Sequence, residues 1–450
     1  MIRAKRALLV LFWALHSLLA QEVVSVQRVG QLTGQPSMNN TGAVNVYGTD
    51  LGSMFLHGDG RIYFLFGDTF GPPGPPGVSG DWRSNTMAFT TDFVARDGII
   101  FDGWITDSLG RARALIEGNH DPNDGSGEVT KIPTAGWSNG KRQFMWFMSV
   151  KRWGAPGHWE ANYSEIAYSD DNGYTWMRSG VRWAGNSNFV QVAVARDSAY
   201  LYLWGIPAGR FGGVKLARVL PEEVLNPSAY QYYTGAGWSH READAATIVP
   251  APVGELSVIW NAYLNRWLMM YLNENTGCIQ ARFARQPTGP WSAPRTVTCS
   301  DAYPALYGAF MHPKYTENGG QTVYFLMSQY GPYNVFLMKV VFRQSATGME
   351  VLPDRGSERL FVLHPGVPNP FNGQTKIRFE LSEPRPVRLQ IFSVNGKRIR
   401  TLIAARLPAG THTVWWNGTD DVGDPVASGI YWCRLSVGEQ VITRKLLLIR

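Results

Sequence analysis

The chain has 450 residues, enough for two or three domains with sizeable cores. Hydrophobic residues make up 44% and charged residues only 17%, which excludes an intrinsically disordered chain. The net charge of +7 is scattered without a basic run or nucleic-acid motif, so we expect no nucleic-acid partner. The 48 Gly, 27 Pro and 17 Trp indicate many turns between aromatic-rich strands and predict an all-β protein.

The N-terminus has the pattern of a secretory signal peptide. Basic residues within 1–6 precede an apolar run from 7 to 20, and polar Gln21 follows. The run is too short for a stable membrane span, and cleavage is expected after Ala20. No later stretch is apolar enough to cross a bilayer. The sequence therefore predicts an exported bacterial protein, either secreted or held at the cell surface.

Residues 21–345 read as short strands separated by Gly, Pro, Asn and Asp, with almost no helical periodicity. Strand–turn–strand runs recur with periods of about 45–70 residues, which indicates a β-propeller. We divide the region into roughly five sheet units, at 44–100, 110–180, 181–240, 241–300 and 301–345.

The segment 169–176 matches the Asp-box pattern S-x-D-x-G-x-T-W. This pattern is typical of a turn between propeller strands, in which the aspartate and glycine make the turn and the tryptophan packs beneath it. A structural role is therefore expected for the segment, and it indicates the fold rather than the chemistry.

The most informative stretch runs from 47 to 85. Two alternating apolar runs flank a hairpin turn signal at Asp59; Asp50 opens the first run and Asp68 closes the second. If the turn is centred on Asp59, residues equally distant from it face each other, and Asp50 lies across from Asp68. Close carboxylates destabilise a hairpin and shift each other's pKa values, so the pair is a candidate acid and base. The alternative is that both aspartates are ordinary turn residues.

Two loops and strands beside this pair carry further candidates. Trp82, Arg83 and Asn85 follow a Pro/Gly loop at 71–80 that is long enough to fold over a channel mouth. Trp82 could stack on a sugar ring, while Arg83 could bind hydroxyls or form a salt bridge to one of the aspartates. Other units offer candidate substrate-binding residues at Trp159, Asn162, Gln191, Gln329 and Tyr330.

The blocks TDLG, FGDTF and DWRSN, with TKIPTAG and FLMSQYGPYNV further on, resemble a five-bladed propeller family long known only as a domain of unknown function. The resemblance covers residues 40–341. It implies an endo-acting glycoside hydrolase, because members of that family are D-arabinanases that cleave D-arabinofuranosyl polysaccharide. In that family the aspartates of TDLG and FGDTF are the catalytic pair of an inverting mechanism, and they correspond here to Asp50 and Asp68.

We expect Asp50 to act as general base and Asp68 as general acid, with the pKa of Asp68 raised by nearby aromatic residues and by the other carboxylate. If Asp68 is misplaced, Glu255 or Glu128 is the replacement acid. Two-carboxylate hydrolysis needs no organic cofactor. The main alternative is a non-catalytic glycan-binding propeller at the cell surface. A sialidase is disfavoured, because the Asp-box comes without an arginine triad or a Tyr/Glu nucleophile pair.

The C-terminal part changes in composition. A loose stretch at 346–363 reads as a linker, and alternating strands at 364–450 predict a small immunoglobulin-like β-sandwich. This tail, with PNPFN, SVNGKRIRTL and a closing RKLLLIR, resembles the C-terminal modules of many exported bacterial proteins. Such modules are often sorting domains for type IX secretion. The resemblance implies secretion machinery or cell-surface attachment as a partner, and a monomer is expected.

Three cysteines remain. Cys278 and Cys299 lie in neighbouring predicted strands and could form a disulfide in an oxidising compartment, whereas Cys433 is expected to be a buried free thiol. The sequence contains no CxxC motif or His/Cys cluster, so it predicts no metal site.

Overall fold

The computed structural model describes residues 20–74, 81–121, 127–345, 361–364, 366–393, 397–437 and 440–449. Most of the predicted signal peptide, at 1–19, and most of the predicted linker, at 346–360, lie outside these residues. The chain divides into two compact units, residues up to 350 and residues from 351. The first unit is a five-bladed β-propeller and the second is a two-sheet sandwich, so the predicted fold class is confirmed.

The strands of the propeller form five antiparallel sheets, the blades. The chain enters through β1 (Ala20–Gln31). Blade one contains β2 (Gly48–Leu56), β3 (Ile62–Phe70), β4 (Trp82–Arg83), β5 (Thr86–Thr90) and β6 (Gly103–Trp104). Blade two contains β7 (Thr130–Ser138), β8 (Gln143–Trp153), β9 (Trp159–Ser169) and β10 (Met177–Ala184). Blade three contains β11 (Gln191–Arg196), β12 (Leu201–Ile206), β13 (Gly212–Val219), β14 (Gln231–Tyr233), β15 (Trp238–Ser239) and β16 (Thr247–Val253).

Blade four contains β17 (Leu256–Asn261), β18 (Arg266–Asn273), β19 (Cys278–Ala284) and β20 (Arg295–Cys299). Blade five contains β21 (Leu306–Glu317), β22 (Thr322–Gln329) and β23 (Asn334–Ser345), with β1 as its outer strand. Short 3₁₀ turns lie at Thr41–Val44, Pro221–Glu223, Pro227–Ala229, Glu242–Asp244 and Asn318–Gly320. Within the described part of the chain, no helix has the length and apolar character needed to span a membrane.

The blades surround a common axis, since the inner strands β2, β7, β11, β17 and β21 contact one another in a closed ring. The ring is completed by pairing β1 with β23, from Ala20 opposite Ser345 to Gln31 opposite Phe336. The middle strands are buried on both faces because each blade packs between two others. All nine residues of β3 and all eight of β22 are buried, which explains their continuous apolar sequences.

Two predicted unit boundaries differ from the structure. Strand β10 crosses the predicted boundary at 180 and pairs with β9 in blade two. Strand β16 falls in the predicted fourth unit, yet it pairs with β13 in blade three. Both are outer or returning strands, whose partners depend on the chain path rather than on local sequence.

The Asp-box forms the turn between β9 and β10. Asp171 accepts hydrogen bonds from the backbone N–H and the hydroxyl of Thr175, at 2.8 and 2.6 Å. The indole N–H of Trp176 donates to the carbonyl of Gly173 at 3.0 Å. These contacts are all local, as expected for a structural turn.

The second unit contains two sheets around one core. The first sheet consists of β24 (Phe361–Leu363), β25 (Thr375–Leu381) and β28 (Gly410–Trp416). The second consists of β26 (Arg385–Ser393), β27 (Arg398–Leu407), β29 (Gly429–Val437) and β30 (Gln440–Leu448). Alternate residues such as Leu389, Phe379 and Leu435 fill the space between them. Strand β24 lies within the stretch that the sequence assigned to the linker.

The cysteines are arranged as the sequence suggested. Cys278 and Cys299 face each other across β19 and β20 and form a disulfide. Cys433 is a free cysteine in the sandwich core, where burial raises the pKa of its thiol to about 12.

Candidate active site

A cavity of about 990 Å³ lies where the five blades converge. Asp50 and Asp68 of blade one both line it, so the hairpin brings the two predicted carboxylates to one chamber. The remaining blades contribute the other walls, and prominent lining side chains are Met148, Trp159, Gln191, Glu255, Tyr307 and Tyr333. A chamber of this size, lined by aromatic and a few charged groups, has the character of a small-molecule or oligosaccharide site.

The hairpin register explains why the two aspartates share a face. Thr49 pairs with Thr69 across β2 and β3, and their hydroxyls hydrogen-bond to each other at 2.7 Å. Side chains alternate along a strand, so the neighbouring residues Asp50 and Asp68 project to the opposite face. The predicted register holds at both ends of the hairpin, but it is interrupted by irregularities on either side of Leu51.

That interruption is a bulge beside Asp50. Leu51 has φ 66° and Gly52 has φ 95°, both in the left-handed region, and the Leu51 N–H donates to the hydroxyl of Ser328 at 2.8 Å. A bulky residue with positive φ is strained, and such strain concentrates at functional sites. Two other lining residues, Ala305 and Tyr333, also have positive φ. The backbone around the cavity is therefore held in unusual conformations on blades one and five.

Asp50 is oriented by blade five. The hydroxyl of Tyr307 donates to Asp50 Oδ2 at 2.8 Å. Asp50 Oδ1 lies against Gly67, where a Cβ atom would sit only 2.3 Å away. The close approach therefore depends on glycine. Burial raises the pKa of Asp50 to about 7, against hydrogen bonding by Tyr307 and Tyr333, and the negative charge of Glu255 adds to the rise.

Asp68 is oriented from the opposite side. Its Oδ1 accepts hydrogen bonds from the indole N–H of Trp82 at 2.8 Å and from the hydroxyl of Thr130 in blade two at 2.5 Å. Burial raises the pKa of Asp68 to about 7; the two hydrogen bonds oppose this and the charge of Asp50 contributes to it. The two carboxyl groups are thus held by donors from different neighbouring blades.

A third carboxylate, Glu255, lines the same cavity. Arg210 binds its Oε1 from Nε at 2.9 Å and from Nη2 at 2.8 Å, and Arg210 Nη1 lies 3.4 Å from Glu274. The guanidinium also lies over the rings of Tyr307 and Trp159, 4.9 and 5.8 Å from their centroids. Arg210 therefore links blade four to the tyrosine that holds Asp50.

Four of the predicted substrate-binding residues line the cavity: Trp82, Trp159, Gln191 and Tyr330. Trp82 stacks on Phe70 and binds Asp68, so it supports the carboxyl group. The amide of Gln191 donates to the carbonyls of Pro207 and Gly209, at 3.0 and 2.8 Å, and thereby holds the loop that carries Arg210.

The other four predicted residues do not line the cavity, and the prediction of sugar contact is corrected for them. Arg83 is buried and donates to the carbonyls of Ala112 and Asn45; its nearest carboxylate is Asp81, at 3.6 Å, rather than Asp50 or Asp68.

Asn85, Asn162 and Gln329 likewise use their amides inside the fold. Asn85 bonds to backbone groups of Leu115, Ile116 and Lys131. Asn162 donates to Gly127 and Ser149, and Gln329 donates to Pro304. These partners are distant in sequence, so a local pattern could not reveal them.

Glu128, the other suggested replacement acid, also lies away from the cavity wall. It is buried against the ammonium group of Lys131 at 2.5 Å and accepts from Ser149 at 2.7 Å. Of the two suggested replacements, only Glu255 lines the chamber. Within the described residues, no group of three or more His, Cys, Asp or Glu side chains is arranged to hold a metal ion.

Three important residues were missed from the sequence. Arg210 lies in a loop without a motif, and Tyr307 and Thr130 are ordinary strand residues. Thr130 is the first residue of the TKIPTAG block, but nothing in that block points to a partner 62 residues earlier. Their roles arise because blades two and five flank blade one.

Comparisons with known proteins agree with this division of the chain. The profile of the domain of unknown function DUF4185 matches residues 36–339, and that of the FlgD Ig-like domain matches residues 367–439. "Notoamide biosynthesis cluster protein J" of Aspergillus sp. (strain MF297-2) is 31% identical over 312 residues, covering 63% of this chain and 80% of that protein.

Among solved structures, a candidate hydrolase from Bacteroides ovatus ATCC 8483 has 14% identity and a TM-score of 0.47, covering 67% of this chain and 88% of its own. The exo-β-1,3-galactanase of Phanerochaete chrysosporium has 10% identity and a TM-score of 0.42, covering 95% and 99%. Neither structural likeness speaks to the activity of this chain. The family profile, in contrast, matches more than half of the sequence, and the chain belongs to the DUF4185 family.

Proposed function

We propose that this protein is an endo-acting glycoside hydrolase that cleaves a furanosidic polysaccharide of the D-arabinan type with inversion. One observation carries the proposal: two buried aspartates on one hairpin, Asp50 and Asp68, line a single cavity, and the pKa of each is raised to about 7. Carboxyl groups that titrate near neutral pH are suited to general acid and base work.

The environments of the two groups support different roles. Asp50 accepts hydrogen bonds from Tyr307 and Tyr333, which favour its ionised form; of the charges near it, Glu255 opposes ionisation and Arg210 favours it. Asp68 feels the negative charge of Asp50, which favours retention of its proton. We therefore assign Asp50 as general base and Asp68 as general acid.

In the proposed reaction, both donors to Asp68 end on Oδ1, which leaves Oδ2 to carry the transferable proton. Asp68 passes this proton to the glycosidic oxygen as the bond to the anomeric carbon breaks. Asp50 takes a proton from the water that attacks the same carbon from the opposite side. Inversion needs room for this water, about 6.5–9.5 Å between the carboxyl groups. Donors from opposite neighbours, Tyr307 in blade five and Thr130 in blade two, favour such a splayed arrangement.

The sugar and the location rest on resemblance. The TDLG and FGDTF blocks match the catalytic blocks of endo-D-arabinanases, so D-arabinofuranosyl chains are the first substrates to test. The FlgD Ig-like match supports a C-terminal module that acts in sorting or attachment, and the N-terminal pattern supports export. We propose type IX secretion as the route.

The test is the product profile of the purified protein on mycobacterial arabinogalactan and a panel of other furanans. Wild type should release oligosaccharides of several lengths, and NMR of the first products should show inverted anomers. Asp50→Asn and Asp68→Asn should each fold and lose activity by roughly 10²–10⁴-fold. Asp59→Asn is the matched control, because Asp59 lies at the turn end of the same hairpin and binds Tyr63.

Two outcomes would contradict the proposal. Absence of products from every polymer, with glycan binding that survives both active-site substitutions, would leave a glycan-binding propeller. Equal activity of wild type and both active-site variants would exclude this pair. A sialidase gains no support, since Arg210 is the sole arginine among the described lining residues and two glutamates hold it.

A further inference from the structure

The cavity contains polar groups that the proposed reaction does not use. Glu255 and Trp159 line it from blades four and two, with Arg210 between them. Glu255 Oε1 is bound by Arg210, but its other oxygen, Oε2, is buried and has no hydrogen-bond partner among the residues the structure describes. The indole Nε1 of Trp159 is likewise buried and unpaired within the described chain.

A ligand in the cavity could pair with both of these atoms. Buried polar groups in folded proteins are nearly always paired, and an unpaired one is costly. Here a carboxylate oxygen that can only accept and an indole N–H that can only donate both belong to cavity-lining side chains. The side chain of Glu255 is 10% exposed, so little solvent reaches it.

We propose that Glu255 and Trp159 form a hydrogen-bonding subsite for a neutral, hydroxyl-bearing sugar ring beside the catalytic pair. The proposal rests on the proposed function and names the chemistry of the ring that this site accepts. A sugar hydroxyl can donate to Glu255 Oε2, and a hydroxyl or ring oxygen can accept from Trp159 Nε1. A sugar with free hydroxyls supplies both kinds of partner.

The same arrangement selects against acidic sugars. A uronate or sulfate group offers acceptors only, so where it takes the place of a donating hydroxyl it cannot pair with Glu255 Oε2, and its charge adds repulsion. The one Lys or Arg side chain in the described lining, Arg210, is held by Glu255 and Glu274 and is not free to bind an anionic ligand. The subsite therefore fits a neutral polysaccharide and disfavours uronic or sulfated chains.

The position of the subsite follows from its contacts. Arg210 contacts both subsite residues and lies over Tyr307, and Tyr307 donates to Asp50, so two side chains link the subsite to the carboxylate of the proposed general base. Asp50 also feels the charge of Glu255. A sugar ring held in this subsite is next to the bond under attack. Loss of the subsite contacts should therefore weaken substrate binding more than it slows the chemical step.

The experiment measures binding by calorimetry in an Asp68→Asn background, which prevents turnover. The probes are short D-arabino-oligosaccharides and, as the acidic comparison, oligogalacturonate. Trp159→Phe keeps the ring and removes only the N–H, and Glu255→Gln keeps the shape and removes the charge. Each should weaken D-arabino-oligosaccharide binding by about 10-fold, the value of one hydrogen bond. Oligogalacturonate should bind the background protein much more weakly than the neutral probe.

Two matched controls exist. Trp291→Phe removes another buried indole N–H that has no partner among the described residues and lies outside the described cavity wall. Glu128→Gln changes a glutamate whose side chain is also 10% exposed and paired with one cation, Lys131, again outside the wall. Both controls should bind like the background protein.

The outcomes separate this inference from the proposed function. If Trp159→Phe and Glu255→Gln bind as tightly as the background, or if no neutral probe binds, the subsite is wrong. Wild-type cleavage of arabinogalactan, measured separately, would still uphold the hydrolase. If wild type cleaves nothing but both variants bind neutral sugar more weakly than the controls do, the subsite stands and the hydrolase fails. Tighter binding of oligogalacturonate than of the neutral probe would also overturn the proposal.

Discussion

Replacing Asp50 with asparagine should make the propeller gain stability relative to wild type as the pH rises from 4 to 8, although it removes a proposed catalytic group. Burial raises the pKa of Asp50 from 3.8 to about 7 in the folded protein. The native state therefore binds this proton more tightly than the unfolded state. By linkage, stability falls as the pH rises from about 4 to 7 and is constant above that.

The size of the effect follows from the shift. A change of about three pKa units corresponds to about 4 kcal/mol at most, at about 1.4 kcal/mol per unit. Asparagine does not titrate, so the Asp50→Asn variant does not show this loss of folding stability with rising pH. Removing the Asp50 charge also lowers the pKa of Asp68. The variant therefore loses less stability through Asp68 as the pH rises, which increases its advantage over wild type. The amide brings a fixed cost for an unpaired N–H, but that cost does not vary with pH.

The assay is thermal unfolding of both proteins at pH values from 4 to 8. The difference in Tm, variant minus wild type, should increase by up to about 6 °C across this range. Asp170→Asn is the control without a trend: Arg142 binds Asp170 at 2.6 Å and lowers its pKa, so this group titrates at or below about pH 4 and its Tm difference should stay nearly constant over the range. Parallel curves of Tm against pH for wild type and Asp50→Asn would refute the inference that Asp50 is buried with a raised pKa.

Three further changes test the surroundings of the pair. Tyr307→Phe removes the donor to Asp50 and raises its pKa, so the acid limb of the kcat/KM profile should move to higher pH; an unmoved limb would contradict the base assignment. Trp82→Phe removes a donor to Asp68 and should move the alkaline limb to higher pH in the same assay, whereas a shift of the acid limb would reverse the roles. Gly67→Ala places a Cβ 2.3 Å from Asp50 Oδ1 and should lower kcat by roughly 100-fold in a folded protein; near-normal kcat would show that the carboxylate tolerates displacement.

The hairpin of blade one shows what local sequence can predict. Alternation and a turn signal placed Asp50 and Asp68 at the same end of two paired strands, and Thr49 opposite Thr69 confirms the register there. The bulge was not predictable, because the positive φ of Leu51 is imposed by the bond from its N–H to Ser328 in blade five.

Four of the eight predicted substrate-binding residues do not line the cavity, because partners elsewhere in the fold take up their polar groups. Arg83 and Asn85 looked like sugar ligands because they follow the block that contains Asp68. In the structure, their N–H groups donate instead to backbone carbonyls elsewhere in the first unit. Arg210 was missed for the converse reason: its loop carries no motif, and its importance comes from Glu255, Glu274 and Tyr307 meeting around it. Residue type predicts possible chemistry, while the closed ring of blades decides which side chains reach the cavity.

The pairing of β1 with β23 has a consequence for how the protein matures. Its contacts join Gln31 to Phe336, so they must wait until nearly the whole propeller has been made, and such non-local pairing is slow. Blade five also supplies Tyr307, the donor to Asp50, so closing the ring is the step that brings Asp50, the proposed base, and its donor together. An unclosed chain would retain both aspartates yet lack their final environment. Activity is therefore a late marker of folding, and it should appear only once the first and last strands of the propeller have met.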